Sequence, residues 1–424
     1  MNQNRRVIIT GMGVVSPVGN TVETFWENLT EGNSGVSRVT RFDVSPYPSK
    51  VAAEVKDFDP LDHFDKREAR HLDSYQQYAL VAARDALKDS ALEIDKMDPN
   101  RVGVIMGTGT GGIATFEDQM RVLINRGPKR ISPFFIPMLI CDTAAGLVAM
   151  RYRLKGPNYA TVSACASASH AMSDAYWTIR RGDAEVMITG GSESAICEIS
   201  WAAFCAMRAM STGFNDEPVK ASRPFDKKRD GFVMGDGAGI VVLEELEHTL
   251  GRGAKIHGEL IGSGMSADAY HITMPHPEGE GAATAMSLSL KGAGIKPEMV
   301  DYINTHGTAT PLGDISETKA IKKVFGEHAY KMVINSTKSI IGHLLGAAGG
   351  VESIATLMTM NTGVVHPTLN QEVPDPECDL NYVPNLKQER EVNYAILNSF
   401  GFGGHNISIV LKRYRDQDTR ARSL

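Results

Sequence analysis

The sequence predicts an α/β fold made of two related halves. Three observations lead to this expectation: short β-rich runs alternate with longer helical patterns, one segment is echoed later in the chain, and the composition is that of an ordinary globular protein. Strands that alternate with helices favour a buried sheet covered by helices.

Length, composition and charge exclude several classes of protein. The chain has 424 residues, of which 42% are hydrophobic and 22% charged, so it can bury a large core without disulfides or metals. A net charge of −6 gives no support to a nucleic-acid or polybasic membrane-binding role. No run of about 18 apolar residues occurs, so we expect no membrane span and no membrane partner.

The cysteines and the start of the chain predict a cytoplasmic protein. Five scattered cysteines without a C-x-x-C pair argue against a zinc ribbon and a disulfide framework, and favour a reducing compartment. The apolar run after the basic start is short and broken by Gly11 and Gly13, so it predicts a buried strand rather than a signal peptide.

Hydrophobic patterning places the first elements. Apolar residues recur at helical spacing over Ser74–Asp89, and a second helical pattern follows Cys165. Seven short runs are expected as strands: Arg6–Thr10, Val102–Met106, Ala160–Ser163, Glu185–Thr189, Gly239–Leu243, Tyr302–Asn304 and Val333–Asn335.

An internal echo supports two similar halves. Residues 87–110 and 290–310 both combine the end of a helix, a small-residue turn, a proline, a buried strand and a G-T-x-T loop. A duplicated α/β unit accounts for this similarity. We therefore expect an N-terminal half over residues 1–255, a C-terminal half over 256–412, and a polar, solvated tail over 413–424.

Cys165 is the candidate nucleophile. It lies among small residues between a strand and a helical pattern. At a helix N-terminus, free N–H groups and the helix dipole favour a thiolate, lower the thiol pKa, and can hold an oxyanion. The alternative is a buried, inert cysteine, and this segment alone leaves both open.

Two histidines and a glycine-rich segment add to this candidate site. His306 and His343 each lie in a loop of small residues that follows a strand. Two such histidines and a thiol make a constellation suited to thiol chemistry. Residues 398–406 predict a fourth loop, whose aromatic residue either gates a pocket or packs in the core.

Two competing motifs are weaker. Gly107–Gly112 satisfies G-x-G-x-x-G after a strand, but no acidic residue stands between Asp118 and Asp142, where a dinucleotide site needs one. His271 and His276 lie in a loop without an H-E-x-x-H pattern, so we expect no metal site there.

Taken together, the motifs resemble the β-ketoacyl-acyl-carrier-protein synthases, most closely the type II form. The resemblance covers about residues 4–412 and is carried by five segments: VSACAS around Cys165, RPFDKKRDGFVMGDGAG at 223–239, THGTATPLGD from Thr305, STKSIIGHLLGAAG from Ser336, and NSFGFGG at 398–404. It implies a thiolase-like fold with five αβαβα layers, and a homodimer.

The resemblance implies a role for each catalytic residue. Cys165 would take the acyl group as a thioester, and the backbone N–H groups of Cys165 and Phe402 would form the oxyanion hole. His306 and His343 would bind the malonyl thioester carbonyl and stabilise the enolate. Lys338 would support the histidines, paired with Glu317, and Phe402 would also gate the acyl pocket.

It also implies binding residues, carried over position by position. The pantetheine arm would meet Thr308 and Thr310, and Phe400 would contact substrate. Thr110, Phe204, Phe135 and Ile136 would line or border the acyl tunnel, the last two reaching across the dimer. Carrier-protein contacts would come from Arg67, Arg70 and Arg208, and a structural monovalent cation would be held by Asn304, Glu352 and Asn398.

The implied activity is a decarboxylating Claisen condensation that lengthens a carrier-bound fatty acyl group by two carbons and needs no redox cofactor. A polyketide or other specialised ketosynthase would use the same residues. A non-catalytic chain-length subunit is disfavoured because Cys165, His306 and His343 are all present. A thiolase would need a second late cysteine, and Cys378 lies in an acidic, Pro-flanked loop.

The sequence departs from the family pattern at four places. Around the nucleophile, Ser163, Ala166 and Ala168 stand where the family pattern T-A-C-[ST]-[ST]-G has Thr, Ser or Thr, and Gly; His405 replaces the usual Thr, Met274 replaces a smaller residue, and Thr110 replaces Ile. A smaller, more polar Thr110 is expected to widen or rewet the deep tunnel.

Overall fold

The computed structural model describes residues 5–415, so the expected tail at 413–424 lies almost entirely outside the described residues. The strands are β1 (Val7–Val15), β2 (Ser37–Arg38), β3 (Val51–Ala52), β4 (Val102–Gly107), β5 (Asn158–Thr161), β6 (Val186–Glu193), β7 (Gly237–Glu245), β8 (Gly258–Ala267), β9 (Tyr302–Asn304), β10 (Val333–Asn335), β11 (Val364–Val365), β12 (Gln388–Glu389), β13 (Tyr394–Gly401) and β14 (His405–Lys412).

The helices cover the sheet on both faces. They are α1 (Val22–Glu31), α2 (Lys66–Ala69), α3 (Ser74–Ser90), α4 (Ile113–Arg126), α5 (Phe135–Leu139), α6 (Thr143–Tyr152), α7 (Ser167–Arg181), α8 (Glu198–Ala206), α9 (Leu246–Gly251), α10 (Glu280–Ala293), α11 (Pro311–Phe325), α12 (Lys338–Ile341) and α13 (Ala348–Thr362).

Ten strands form one continuous sheet with an internal symmetry. Their order is β10-β9-β13-β14-β8-β1-β7-β6-β4-β5, so the first five along the sheet come from the C-terminal half of the chain and the other five from the N-terminal half. In each half the outer three strands are parallel and the inner strands antiparallel. Antiparallel pairing of β1 with β8 joins the halves.

The helices complete five layers, which confirms the expected αβαβα fold. The N-terminal half of the sheet is covered by α3 and α6, and the C-terminal half by α10 and α11. Between the two halves lie α7 and α13, which contact strands of both. Because strands pack on both sides of α13, that helix is buried almost all round, as a central helix must be.

The internal echo corresponds to a repeated structural unit. Helices α3 and α10 both end at a residue in the left-handed region, Ala91 with φ +50° and Gly294 with φ +68°. A short 3₁₀ turn then begins at Pro99 or Pro297 and leads into a buried strand. The two halves therefore share local structure as well as topology.

Glycines explain where the expected strands were too short. The first strand continues through Gly11 and Gly13 to Val15. The two glycines do not end the strand; they let α3 pack against it, because a Cβ on either residue would lie about 2 Å from a carbonyl oxygen of that helix. Likewise, residues 398–406 are not a loop throughout: they contain the end of β13 and the start of β14, and only 402–404 form the turn. Strand β8 was not anticipated at all.

Within residues 5–415, no helix is long and apolar enough to cross a membrane.

Candidate active site

Cys165 sits on a tight turn between β5 and α7. Ala164 adopts the left-handed conformation with φ +51°, which is costly for a residue with a side chain and turns the chain sharply into the helix. The Ser167 hydroxyl fixes the turn: it donates to the carbonyl of Ala164 at 2.7 Å and accepts the N–H of Ser163 at 2.9 Å. Only 8% of the Cys165 surface is exposed.

The turn between β13 and β14 lies directly against the nucleophile. A Cβ on Gly401 would stand 2.7 Å from the carbonyl oxygen of Ser163 and 3.1 Å from the backbone nitrogen of Cys165, so only glycine permits this approach. The backbone N–H groups of Phe402 and Cys165 both interact with the Cys165 sulfur and lower its pKa. The two expected oxyanion-hole donors are therefore found together.

The net pKa of Cys165 differs from the sequence expectation. Burial raises the pKa of the thiol to about 12, and the Glu193 carboxylate acts in the same direction. Lys338 and the two N–H groups lower the pKa but do not offset burial. The expectation of a lowered pKa at the helix start was wrong, because loss of solvent outweighs the local positive field. The resting side chain is a thiol.

Two histidines face the same point from the C-terminal half. His306 follows β9 and His343 follows α12, and their ring centroids are 5.3 Å apart in an edge-to-face arrangement. The Cys165 sulfur and one ring nitrogen of each histidine lie within 4.8 Å of one another. The sequence loops thus converge, as expected, on one centre.

Both histidines are held in the neutral form. Burial lowers the pKa of each imidazole well below its ordinary value, and the positive charge of Lys338 lowers both further. The Nδ1 atoms of the two rings are buried and accept or donate no hydrogen bond within the described residues. A neutral imidazole has one N–H donor, which suits it to hold a carbonyl oxygen that gains negative charge.

Lys338 pairs with Glu352, which corrects the expected pairing with Glu317. Lys338 Nζ donates to Glu352 Oε1 on α13, and both side chains are at most 1% exposed. Glu317 instead accepts the backbone N–H groups of His306 and Gly307 at 2.9 and 2.8 Å. The sequence could not separate the two partners, since both acids lie on helices near the lysine. Glu317 positions the His306 loop, and Glu352 compensates the buried ammonium.

A cavity of about 520 Å³ opens onto these groups. Besides the three reactive side chains, it is lined by most of the expected binding residues: Thr110, Phe204, Arg208, Thr308, Thr310, Phe400 and Phe402. The ring of Phe400 also packs on His306, with centroids 5.8 Å apart.

Other expected binding residues lie away from this cavity. Phe135 and Ile136 are on α5 and do not line it, and Ile136 is 56% exposed. Arg67 and Arg70 are exposed at α2, also off the cavity. Within one chain, α5 therefore does not form the tunnel wall; a contribution across a dimer stays a prediction.

The hydroxyl of Thr110 is hydrogen-bonded behind the cavity wall. It donates to the buried carboxylate of Glu193 at 2.6 Å, and Glu193 itself does not line the cavity. The expected widening or rewetting of the tunnel by Thr110 stays a prediction. Glu193 could not be singled out from sequence, because an acid at the end of a buried strand carries no motif of its own.

His405 occupies the first position of β14, where its side chain is exposed. Its ring lies next to Gly403, so that a Cβ on this glycine would come within 2.9 Å of the ring Nε2. The departure therefore lies on the exposed side of the 402–404 turn, next to Gly403.

Comparison with known proteins decides the family. The sequence profile of the β-ketoacyl synthase N-terminal domain matches residues 4–249, and that of the C-terminal domain matches residues 257–372. The chain belongs to the β-ketoacyl synthase family. A 3-oxoacyl-[acyl-carrier-protein] synthase 2 from Synechocystis is 49% identical over 97% of this chain and 99% of the relative. One from Staphylococcus aureus is 51% identical over 98% and 100%.

Solved structures of ketosynthases share the fold. A β-ketoacyl synthase from Burkholderia phymatum is 34% identical, with a TM-score of 0.90, over 97% of this chain and 100% of that one. A type II polyketide ketosynthase in complex with its acyl-carrier protein, bound to a hexaketide, is 35% identical, with a TM-score of 0.89 and the same coverage. These neighbours are thus less similar in sequence to this chain than the two relatives above.

Proposed function

We propose that this β-ketoacyl synthase is a 3-oxoacyl-[acyl-carrier-protein] synthase that elongates fatty acyl chains by two carbons. The single observation that carries the proposal is the meeting of four groups at one cavity: the Cys165 sulfur, the backbone N–H of Phe402, and the two neutral imidazoles of His306 and His343. The fatty-acid relatives at about half identity favour this activity over polyketide synthesis.

In the first step, the acyl group moves to Cys165. The sulfur attacks the thioester carbonyl of the acyl-carrier protein, and the N–H groups of Cys165 and Phe402 hold the oxygen as it becomes negative. The carrier leaves as a free thiol, and the proton it gains balances the one lost from Cys165. Because burial disfavours the free thiolate, we expect attack only when the acyl thioester is already in place.

In the second step, malonyl-carrier protein loses carbon dioxide. His306 and His343 would each donate an N–H to the thioester oxygen, where charge collects as the enolate forms. The enolate carbon then attacks the acyl thioester on Cys165. The sulfur leaves, takes up one proton, and the product is a 3-oxoacyl-carrier protein.

Thr308, Thr310 and Arg208 would serve the carrier and its arm. The two hydroxyls lie 3.1 Å apart on the wall of the cavity, where a pantetheine amide could reach them. Arg208 is exposed at the same cavity and would meet an acidic carrier protein. Arg67 and Arg70 are exposed, as a carrier contact requires, and we propose them as further contacts outside the cavity.

The proposed homodimer is supported by an uncovered sheet edge. Strand β5 ends the ten-stranded sheet, and within the described part of the chain it pairs with β4 alone. On and beside it lie three large exposed side chains: Tyr159 (41% exposed), Val162 (58%) and Trp177 of α7 (40%). We call these three residues the β5 edge patch. An exposed edge with an apolar patch favours pairing with a second copy, and α5 could then complete the partner's tunnel.

A structural monovalent cation fits the oxygens near Lys338. Asn304 Oδ1 and Glu352 Oε2 are buried and have no hydrogen-bond partner among residues 5–415, and unpaired buried oxygens are what such a cation needs. The amide oxygen of Asn398 is already used, because it accepts the Ser408 hydroxyl at 2.7 Å. We therefore propose Asn304 and Glu352 as ligands; a higher Tm in potassium chloride than in tetramethylammonium chloride, lost in Asn304→Ala, would support this.

We also propose a cytoplasmic location, since Cys165 must stay reduced to accept an acyl group and all five cysteines of the chain are unpaired.

The proposed reaction is tested by separating its two steps. The parent enzyme, given acyl-carrier and malonyl-carrier proteins, should release carbon dioxide and form a 3-oxoacyl carrier with two more carbons, detected by mass spectrometry. His343→Ala should still load acyl groups on Cys165 but condense them at least about a hundredfold more slowly. Acyl loading without any condensation in the parent enzyme would contradict the proposal.

A further inference from the structure

Behind the wall of the acyl cavity lies a buried carboxylate that receives five hydrogen bonds. Glu193, the last residue of β6, is fully buried. It accepts the N–H groups of Gly109 at 2.6 Å, Thr110 at 3.0 Å and Gly346 at 2.9 Å. The hydroxyls of Thr110 and Thr108 donate to it at 2.6 and 3.1 Å.

These donors come from two walls of the same cavity. Gly109 and Thr110 line it from the N-terminal half, and Leu345, which precedes Gly346, lines it from the C-terminal half. Both glycines are needed for this approach, because a Cβ on Gly109 or Gly346 would lie 2.8 or 2.6 Å from Glu193 Oε2. One oxygen therefore holds the two backbones together.

The hydrogen bonds around Glu193 favour its charged form. Burial raises its pKa, and the bonds from Thr110, Gly109 and Gly346 offset only part of this shift. Three of the five partners are backbone N–H groups, which can only donate, and a carboxylate can accept all five bonds. The arrangement also fixes Thr110: since its hydroxyl proton points at Glu193, the side chain offers the cavity no free donor.

We propose that Glu193 is a positioning residue that sets the shape and polarity of the acyl cavity for long chains. It does so by joining the walls at Gly109–Thr110 and Gly346 and by turning the Thr110 hydroxyl away from the acyl chain. The inference rests on the proposed acyl transfer to Cys165. It adds a residue that touches neither substrate nor nucleophile but governs which acyl groups fit.

Glu193→Gln is the most direct variant. The Gln oxygen can still accept from Gly109 and Gly346, but its NH₂ group then faces both the backbone N–H and the hydroxyl of Thr110. The Thr110 hydroxyl must turn to accept this new donor, which leaves its proton directed at an apolar cavity. Long acyl chains should suffer from this change, while a two-carbon acyl group, which stops near Cys165, should not.

The test measures loading of Cys165 by intact-protein mass, with carrier proteins bearing two-carbon and sixteen-carbon acyl groups. In Glu193→Gln we expect sixteen-carbon loading to slow about tenfold relative to two-carbon loading. In Glu193→Gln/Thr110→Val, the hydroxyl that turned is gone, so the part of the sixteen-carbon loss that it causes should return, while the conflict between the Gln NH₂ and the backbone N–H of residue 110 remains. The two substitutions are therefore expected to be strongly non-additive.

Several outcomes would overturn the inference. Equal slowing of both chain lengths would mean a merely structural role, as would simple addition of the two effects. Should Glu193→Gln not fold, Thr110→Val alone still tests the inference. The ratio of the sixteen-carbon to the two-carbon loading rate should stay within about twofold of the ratio in the parent enzyme. A rise of about fivefold or more in this ratio would show that the hydroxyl faces the tunnel. A parent enzyme that loads neither chain would instead overturn the proposed function, and this inference with it.

Discussion

At the scale of single residues, the two neutral histidines define the chemistry that the site can perform. Their pKa values are low because they are buried and because Lys338 is close. A protonated ring would still donate hydrogen bonds, but burying its positive charge beside that of Lys338 would cost free energy. The neutral state suits a step in which the thioester carbonyl oxygen gains negative charge as the enolate forms and loses that charge when the enolate carbon attacks.

This neutrality predicts the pH dependence of decarboxylation. We expect the Cys165→Ala variant, which cannot be acylated, to release carbon dioxide from malonyl-carrier protein at a constant rate between about pH 6.5 and 8, and to lose activity only well below the ordinary histidine pKa of about 6.5. Initial rates of carbon dioxide release would measure this, with circular dichroism as a control for folding. An acid limb centred at 6.5 or above would contradict the neutral assignment.

The same shift has a consequence for stability. In the unfolded chain both histidines regain a pKa near 6.5, so the unfolded state binds more protons once the pH falls below about 6.5. The free energy of unfolding therefore has its full value above this pH and falls progressively as the pH drops below about 6.5.

The reactive residues could be anticipated from sequence, but their electrostatics could not. Cys165, His306, His343 and Phe402 lie in short local motifs whose spacing is visible in one dimension. The net pKa of Cys165 depends on how completely the folded chain removes water, and the choice of Glu352 over Glu317 depends on which helix passes Lys338. Both are properties of packing between distant segments.

At the scale of elements, the β13–β14 turn is the part of the fold most tightly fitted to the nucleophile. Gly401 closes against Ser163 and Cys165, and the next residue supplies the second N–H at the sulfur. The sequence predicted a loop over residues 398–406, because several glycines around an aromatic residue are typical of loops. The structure shows instead that strand pairing from Gly401 to His405 holds the turn in place.

Gly401→Ala should therefore impair acylation strongly. The added methyl would stand 2.7 Å from the Ser163 carbonyl oxygen, so the turn must move away and take the Phe402 N–H with it. Loss of one oxyanion donor costs about a hundredfold to a thousandfold in rate. The rate of acyl loading measures the effect, and Gly251→Ala, whose methyl would meet nothing within 4 Å, is the matched control. Similar loading rates in both variants would contradict the assigned role of the turn.

At the scale of the whole molecule, the duplicated architecture explains why one active site needs both halves. The N-terminal half supplies Cys165, and the C-terminal half supplies His306, His343 and the turn with Phe402. Helices α7 and α13, packed between the halves, bring these segments together. Sequence could predict this division from the echo around Gly107 and Gly307, but not the β1–β8 pairing that makes one continuous sheet.

The β5 edge patch predicts the oligomeric state. Val162→Asp places a charge in this patch and should convert a dimer to a monomer, as measured by size-exclusion chromatography with light scattering. Leu386→Asp, at a side chain that is 77% exposed elsewhere, should leave the dimer intact. A parent enzyme that is already monomeric, or a Val162→Asp variant that stays dimeric, would contradict pairing through β5.

The most direct test of the account is the intact mass of the enzyme after mixing with a medium-chain acyl-carrier protein. We predict that the parent gains the mass of one acyl group, that Cys165→Ala gains none, and that adding malonyl-carrier protein discharges the parent with release of carbon dioxide. An acyl adduct of equal size on Cys165→Ala, or no adduct on the parent at any chain length, would contradict Cys165 as the nucleophile of a condensing enzyme.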